Sequence, residues 1–237
     1  MEQWKERTSL LFGEDKMKRL SAAHVLIVGV GGVGSYTAEL LCRAGVGRLT
    51  LVDGDTIQPS NINRQLPALH STVGREKVEV VGERLKQINP DVELNLLPLF
   101  IKDEAIAELF DRSAYDFVVD AIDTLSPKCF LIIEAFKRDI PIVSSMGAGA
   151  KSDITQVGFN DIWKCVNCKL SRAVRKRLFK IMGERKKLPV VYSKEMPNPE
   201  AIILIENEQN KKSTCGTVSY MPAVFGCFLA EYVIKQI

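Results

Sequence analysis

The stretch Val25-Leu-Ile-Val-Gly-Val-Gly-Gly-Val-Gly34 constrains this chain more than any other part of it. Its four leading apolar residues predict a short buried strand. Gly29, Gly31, Gly32 and Gly34 then turn the backbone into an amphipathic helix ending near Arg43. Glycines let the main chain approach a phosphate closely. The helix N-terminus behind them offers unpaired N–H groups and a partial positive charge. A second strand over 48–52 delivers Asp53, nineteen residues after Gly34, where a carboxylate reaches a ribose hydroxyl. A nucleotide site is therefore expected on the N-terminal third, built on a parallel βαβ unit.

The alternation continues beyond that unit. Two short helices are expected within 1–22, strands at 24–29, 48–53, 92–97, 116–121 and 140–145, and helices at 32–44, 74–89, 103–112 and 126–138. This predicts an α/β fold over 1–150: a Rossmann-like, doubly wound, mostly parallel sheet. Ligands of such sheets bind beyond the carboxyl ends of strands, and Gly29, Asp53 and Asp120 all fall at such ends. After about 150 the pattern changes. A strand at 153–159 turns antiparallel, a basic helix follows at 167–181, and another strand at 188–192. Residues 194–214 read as a mobile loop with an apolar island at 201–205, and an apolar helix ends the chain. Residues 151–237 are thus a smaller, partly antiparallel extension of the same globular unit.

Composition narrows the function classes. Hydrophobic content is 46% and charged content 26%, ordinary for a protein with a full core. No signal peptide follows Met1, and the apolar window 220–234 is broken by Pro222, Gly226 and Glu231, so no membrane span is expected. Six cysteines without a secretion signal imply free thiols in a reducing compartment, hence a cytoplasmic protein. Cys42, Cys129 and Cys227 read as core, and His24 as structural. The net charge of +3 is unevenly placed. Nine basic residues and one acid lie between Lys169 and Lys187, a net +8 that leaves the remainder at −5. Arg172, Arg175, Lys176, Arg177 and Lys180 form the centre of this run. A basic helix on an acidic protein suits a phosphate-rich partner, although a solvated face carries the same signature. Few aromatics interleave, which points to backbone contacts rather than base stacking.

The glycine turn fits a nicotinamide enzyme as well as an ATP user, and the residues after it discriminate. Asp53 is followed by Asp55, Ser60-Asn61-Ile62-Asn63-Arg64-Gln65, Lys77 and Asp120-Ala-Ile-Asp123. A dinucleotide has only a pyrophosphate to hold. A triphosphate carries about four charges and is commonly held by Arg, Lys and Mg²⁺. Asn61, Arg64 and Lys77 are candidate triphosphate ligands, and Asp123 is the candidate Mg²⁺ ligand. Gln65 is an orienting candidate, and Asp120 reads as structural. Asp55 either assists Asp53 or stabilises the turn. Lys128 either approaches substrate phosphate or decorates a helix face. Cys165-x-x-Cys168 is half of a zinc site without a second pair, so structural zinc is not expected.

As a set, these motifs resemble the adenylating domain of the ubiquitin-activating-like enzymes, over about residues 5–160 and again from Gly216 to Ile237. Within that group the chain is most similar to the tRNA threonylcarbamoyladenosine dehydratases. Arg7 with Leu11-Phe-Gly-Glu-Asp15, Asp120-Ala-Ile-Asp-Thr124, Pro127-Lys128, Met146-Gly-Ala-Gly149, Asp153-Ile-Thr-Gln156, the Cys168–Arg177 run and Val190-Val-Tyr-Ser-Lys-Glu195 carry that likeness. The resemblance implies ATP-dependent adenylation of the nucleoside's carboxylate, then ring closure with loss of one water. It implies a homodimer in which Arg7 reaches the partner's triphosphate, and a tRNA whose anticodon stem is held by the basic 169–187 segment. It marks Cys215 as a candidate nucleophile, with Lys211 or Lys212 to favour its thiolate. A monovalent cation site and a sulfur-delivery partner also belong to what it allows, with no ligands identifiable here.

Three alternatives stand beside this reading. A sulfur-carrier adenylyltransferase would act on a small protein ending in Gly-Gly; the missing second cysteine pair and the basic helix weigh against it. A nicotinamide dehydrogenase has no use for Asn61, Arg64 and Lys77. A non-catalytic nucleotide-binding scaffold would keep its activity after Arg64→Ala, whereas an adenylating enzyme would not.

Overall fold

The computed structural model describes residues 3–101, 103–204 and 213–237. Helices α1 (Glu6–Phe12) and α2 (Glu14–Ala22) lead into the sheet. Then β1 (His24–Val28), α3 (Gly34–Arg43), β2 (Arg48–Val52), α4 (Lys77–Ile88), β3 (Glu93–Leu97), α5 (Asp103–Asp111), β4 (Phe117–Asp120), α6 (Leu125–Lys137) and β5 (Ile142–Ser145) alternate as expected. The rest comprises β6 (Val157–Asp161), α7 (Lys169–Met182), β7 (Pro189–Ser193), β8 (Ile202–Leu204), β9 (Ser213–Cys215) and α8 (Tyr220–Gln236).

Seven strands form one sheet in the order β3-β2-β1-β4-β5-β7-β6. All neighbours are parallel except β6, which runs antiparallel to β7. The antiparallel strand expected at 153–159 therefore exists, shifted toward the C-terminus. β7 pairs with β5 and β6 pairs with β7, so the C-terminal segment extends the same sheet. Every residue of β1 is buried, the signature of a central parallel strand covered on both faces. Val25 and Ile27 face a core made with α3, α4 and α8, while Leu26 and Val28 face one made with α5, α6 and α7. Strand alternation thus splits one apolar run between two layers, and each fully buried Leu or Ile contributes roughly 1.5–3 kcal/mol.

The chain order reverses between β1 and β4, which opens a crevice at the carboxyl ends of these strands. Register makes those ends level: Val28 pairs with both Val52 and Asp120. Gly29, Asp53 and Ala121 consequently enter the crevice side by side. The apolar island is β8, paired antiparallel with β9 in a separate hairpin. The remainder of the loop expected at 194–214 includes residues 205–212, which lie outside the described residues, as do Lys211 and Lys212. Cys42 and Cys129 are buried as expected, but Cys227 is exposed. Helix α8 is apolar nearly all round, and its buried side (Met221, Phe225, Leu229, Val233) is turned to the core, leaving Cys227 on the other side. Among the described residues no helix is long and apolar enough to cross a membrane.

Candidate active site

The glycine turn is built by steric necessity. Gly29 has φ 88°, and a Cβ there would lie 2.7 Å from the Ala121 carbonyl oxygen. A Cβ on Gly34 would lie 1.8 Å from the Gly29 carbonyl oxygen. Only bare backbone lets β1, the β4 end and the start of α3 meet this closely. Gly31 faces the Gln65 amide, and Gly32 faces Pro222 of α8 and the Arg64 carbonyl. The result is a concave backbone surface at the N-terminus of α3.

Asp53 stands beside it. Its Oδ2 accepts the Val30 N–H at 2.8 Å and its Oδ1 accepts the Asp55 N–H at 2.9 Å. Burial pushes the carboxyl's pKa up, against the pull of the Lys77 ammonium. Lys77 opens α4 and is nearly buried. Its Nζ lies 2.6 Å from Asp55 Oδ2 and 4.0 Å from Asp53 Oδ1. In this structure Lys77 therefore neutralises these two carboxylates.

The Asn61–Gln65 segment forms the opposite rim. Asn61 is buried and its Oδ1 accepts the Gln58 N–H, closing a short 3-10 turn. Arg64 is fixed by bonds from Nη1 to the Ser60 carbonyl and to Asn63 Oδ1. Asn63 Nδ2 in turn donates to the Thr217 carbonyl at 3.2 Å, tying this rim to the segment after β9. Two polar atoms here are buried without a partner: Gln65 Oε1 and Thr217 Oγ1. Orphaned groups of this kind each cost about 1–3 kcal/mol unless a ligand or water satisfies them. Together with the glycine concavity, they fit a polar ligand such as a nucleotide. Sequence reasoning missed Thr217, which no motif marks, and Asn63, whose signal was its place within Ser60–Gln65.

Asp120 and Asp123 separate clearly. Asp120 is fully buried, with Oδ2 accepting from Lys128 Nζ at 2.6 Å and from the Ser144 hydroxyl. Its Oδ1 accepts the Ile122 N–H. Desolvation pushes its pKa up, opposed chiefly by Lys128. Lys128 is buried as well, so it neither decorates a helix face nor reaches the crevice. Asp123, three residues after this anchor, is exposed. Among the described residues no group of three or more His, Cys, Asp or Glu is placed to hold a metal. A single exposed carboxylate suits an ion that takes its other ligands from phosphate and water.

Cys215 ends β9 and is exposed. A Cβ on Gly149 would lie 2.8 Å from Cys215 Cβ, and the Ala150 N–H donates to the Gly216 carbonyl. The cysteine thus sits against the segment after β5, two residues before Thr217. Cys165 is buried, which pushes its thiol up to about 12. Cys168 Sγ accepts the Ser171 N–H and caps α7.

Arg7 is exposed on α1. Lys5, two residues earlier, packs near Gly45, at the loop entering β2. That places the start of α1 at the amino ends of the strands, opposite the crevice. On α7, Arg172, Lys176 and Lys180 are exposed. Arg175 is not presented in the same way: its Nη1 donates to the Ile162 and Cys165 carbonyls. Arg177 donates to Ser126 Oγ and lies over the Phe130 ring.

Three relatives frame this geometry. A tRNA threonylcarbamoyladenosine dehydratase of Bacillus subtilis (strain 168) is 37% identical over 238 residues, covering 98% of this chain and 93% of its own length. The structure of the Escherichia coli tRNA N6-threonylcarbamoyladenosine dehydratase TcdA in complex with ATP has a TM-score of 0.89 at 33% identity. That match covers 99% of this chain and 93% of TcdA. A molybdopterin-synthase adenylyltransferase of Escherichia coli (strain K12) is 35% identical over 161 residues, but covers only 68% of this chain and 64% of its own. Residues 6–237 match the ThiF family model. With its Rossmann-like sheet, glycine turn and level strand ends, the chain belongs to the ThiF family.

Proposed function

We propose that this chain is an ATP-dependent enzyme that dehydrates threonylcarbamoyladenosine in tRNA. The observation that carries the reading is coverage: dehydratase relatives align over nearly the whole chain, basic helix included, whereas the adenylyltransferase covers about two thirds. The nucleoside's carboxylate oxygen attacks the α-phosphorus of ATP and pyrophosphate leaves. AMP departs from the activated acyl carbon, the carbamoyl oxygen attacks that carbon and the ring closes. The nucleoside has lost the elements of one water.

The residues divide this work. The turn Gly29, Gly31, Gly32, Gly34 cradles phosphate with backbone N–H groups. Asp53, supported by Asp55 and Lys77, accepts ribose hydroxyls. Gln65 and Thr217 gain partners when the nucleotide enters. Arg64 and Asn61 line the phosphate rim, and Arg64 balances charge as pyrophosphate forms. Asp123 is the residue that would hold Mg²⁺, which when bound neutralises phosphate charge. Arg7 is donated by a second copy of the chain, because its own α1 starts at the wrong end of the sheet. Cys215 is the candidate acyl acceptor: its thiolate would displace AMP and be released on ring closure. Arg172, Lys176 and Lys180 face the tRNA backbone; Arg175 and Arg177 brace the helix that presents them. Cytoplasmic location and a sulfur-delivery partner fit a tRNA-modifying relative of sulfur-carrier enzymes.

The test uses purified protein, Mg-ATP and tRNA carrying threonylcarbamoyladenosine. Gentle digestion and mass spectrometry should show that nucleoside lighter by one water, only with ATP present. An unchanged mass, with ATP–pyrophosphate exchange driven by a Gly-Gly-ended carrier protein, would move the assignment to sulfur-carrier activation.

A further inference from the structure

We infer that the outer face of α7 is a platform for a single-stranded RNA loop, with Phe179 stacking a base between phosphates held by Arg172, Lys176 and Lys180. The inference rests on the tRNA reading above and moves the helix's contact from the stem, which the family resemblance implied, to the loop. Arg172, Lys176 and Lys180 follow i, i+4, i+8 spacing, and Phe179 stands seven residues after Arg172 and three after Lys176. At 3.6 residues per turn these four share one stripe, about 12 Å long. All four are exposed, Phe179 at 50%. On the other side of the helix Ser171, Val174 and Leu178 are buried, and Arg175 is spent on two carbonyls. The fold thus sorts the basic run into cations that brace the helix and cations left for a partner. It also leaves one aromatic ring among the latter.

That ring decides the occupant. Lysines and arginines alone serve any polyanion, because phosphate contacts carry no shape. A phenyl ring half in water beside three cations has a use when the polyanion also offers a flat apolar surface. A-form duplex keeps its base faces stacked inside the helix. Loops splay their bases out and stack them on aromatic side chains. The +8 charge of the segment, on a chain otherwise at −5, favours RNA over an apolar peptide.

Anisotropy of a labelled hairpin carrying a tRNA anticodon stem and loop, and of the blunt duplex of its stem, tests this across about 50–200 mM salt. Phe179→Ala should weaken hairpin binding roughly 5- to 150-fold, the stacking of one base, with an unchanged salt slope. Its duplex binding should match the wild type, and Phe179→Trp should keep hairpin affinity. Lys176→Ala should instead weaken both RNAs and reduce the salt slope by about one. Circular dichroism checks that each variant is folded. If Phe179→Ala binds the hairpin like the wild type, no base stacks on the ring and the inference is overturned. Equal weakening on hairpin and duplex overturns it too. A wild-type protein that binds neither RNA sinks the tRNA reading itself, a different failure from either.

Discussion

A lysine and an aspartate cut off from bulk solvent set the terms at the residue scale. Lys128 and Asp120 are both fully buried, 2.6 Å apart, with the Ser144 hydroxyl as third member. Two desolvated charges are tolerated only while each has the other. Lys128→Met strands the Asp120 carboxylate, so the folded state should lose about 3–5 kcal/mol in urea unfolding. Adding Asp120→Asn removes the stranded charge, and the double variant should regain much of that loss; a double variant as unstable as the single would sink the account. Sequence could not decide this lysine, because its environment comes from the ends of two strands that meet only in the folded sheet. Gly29, Gly34 and Asp53 were legible for the opposite reason. A sharp strand-to-helix turn and the residue that ends the next strand are local consequences of spacing. Lys77 lies between these cases. Its place at the start of α4 was readable, but its bond to Asp55 depends on a loop bridging two elements.

Elements inherit their positions from such contacts, and His24 shows how strands are locked together. It begins β1, and its Nδ1 lies 2.9 Å from the Ala114 carbonyl, so that nitrogen carries the hydrogen. Nε2 then accepts from Thr50 Oγ1 on β2, which itself accepts from Asn95 on β3. Burial holds the imidazole below its ordinary pKa of 6.5. The folded chain therefore resists a proton that the unfolded chain takes. This contribution to stability is full above pH 6.5 and is lost as pH falls through the folded-state value. Unfolding free energies from urea titrations should fall as pH drops below 6.5, by at most about 1.4 kcal/mol per pH unit, and His24→Gln should flatten part of that slope. An identical slope in the variant would assign the loss to other groups. The strand was legible from its apolar run, and the basic helix from its composition. Which cations of α7 face outward was not, because composition counts charges while helix phase and neighbouring carbonyls sort them. The antiparallel β6 was anticipated four residues early, since the Asp153 cap and its 3-10 turn delay the strand.

At the scale of the molecule, the crevice and α1 stand at opposite ends of one sheet. Arg7 neighbours Lys5, which packs by the loop entering β2, whereas Asp53 leaves the other end of that strand. An arginine placed there cannot reach the Asn61–Gln65 rim of its own chain without leaving its helix. It can serve the rim of a second copy docked on the α1 face, where Leu10 and Leu11 are 81% and 75% exposed. These two leucines are the apolar surface that a second copy would cover in the homodimer proposed above. In a two-fold dimer each site would draw Arg64 from one protomer and Arg7 from the other. Arg7→Ala and Arg64→Ala should then each be nearly inactive as pure proteins. Mixed in equal amounts and allowed to exchange, half the dimers carry one of each, and one of their two sites is intact. Activity should rise to about a quarter of wild type. Residues acting within one protomer give no such recovery, since every site in the mixture would still lack one arginine. A mixture as inactive as its parents, with exchange verified by differently tagged chains, would return Arg7 to its own protomer and remove the reason for a composite site.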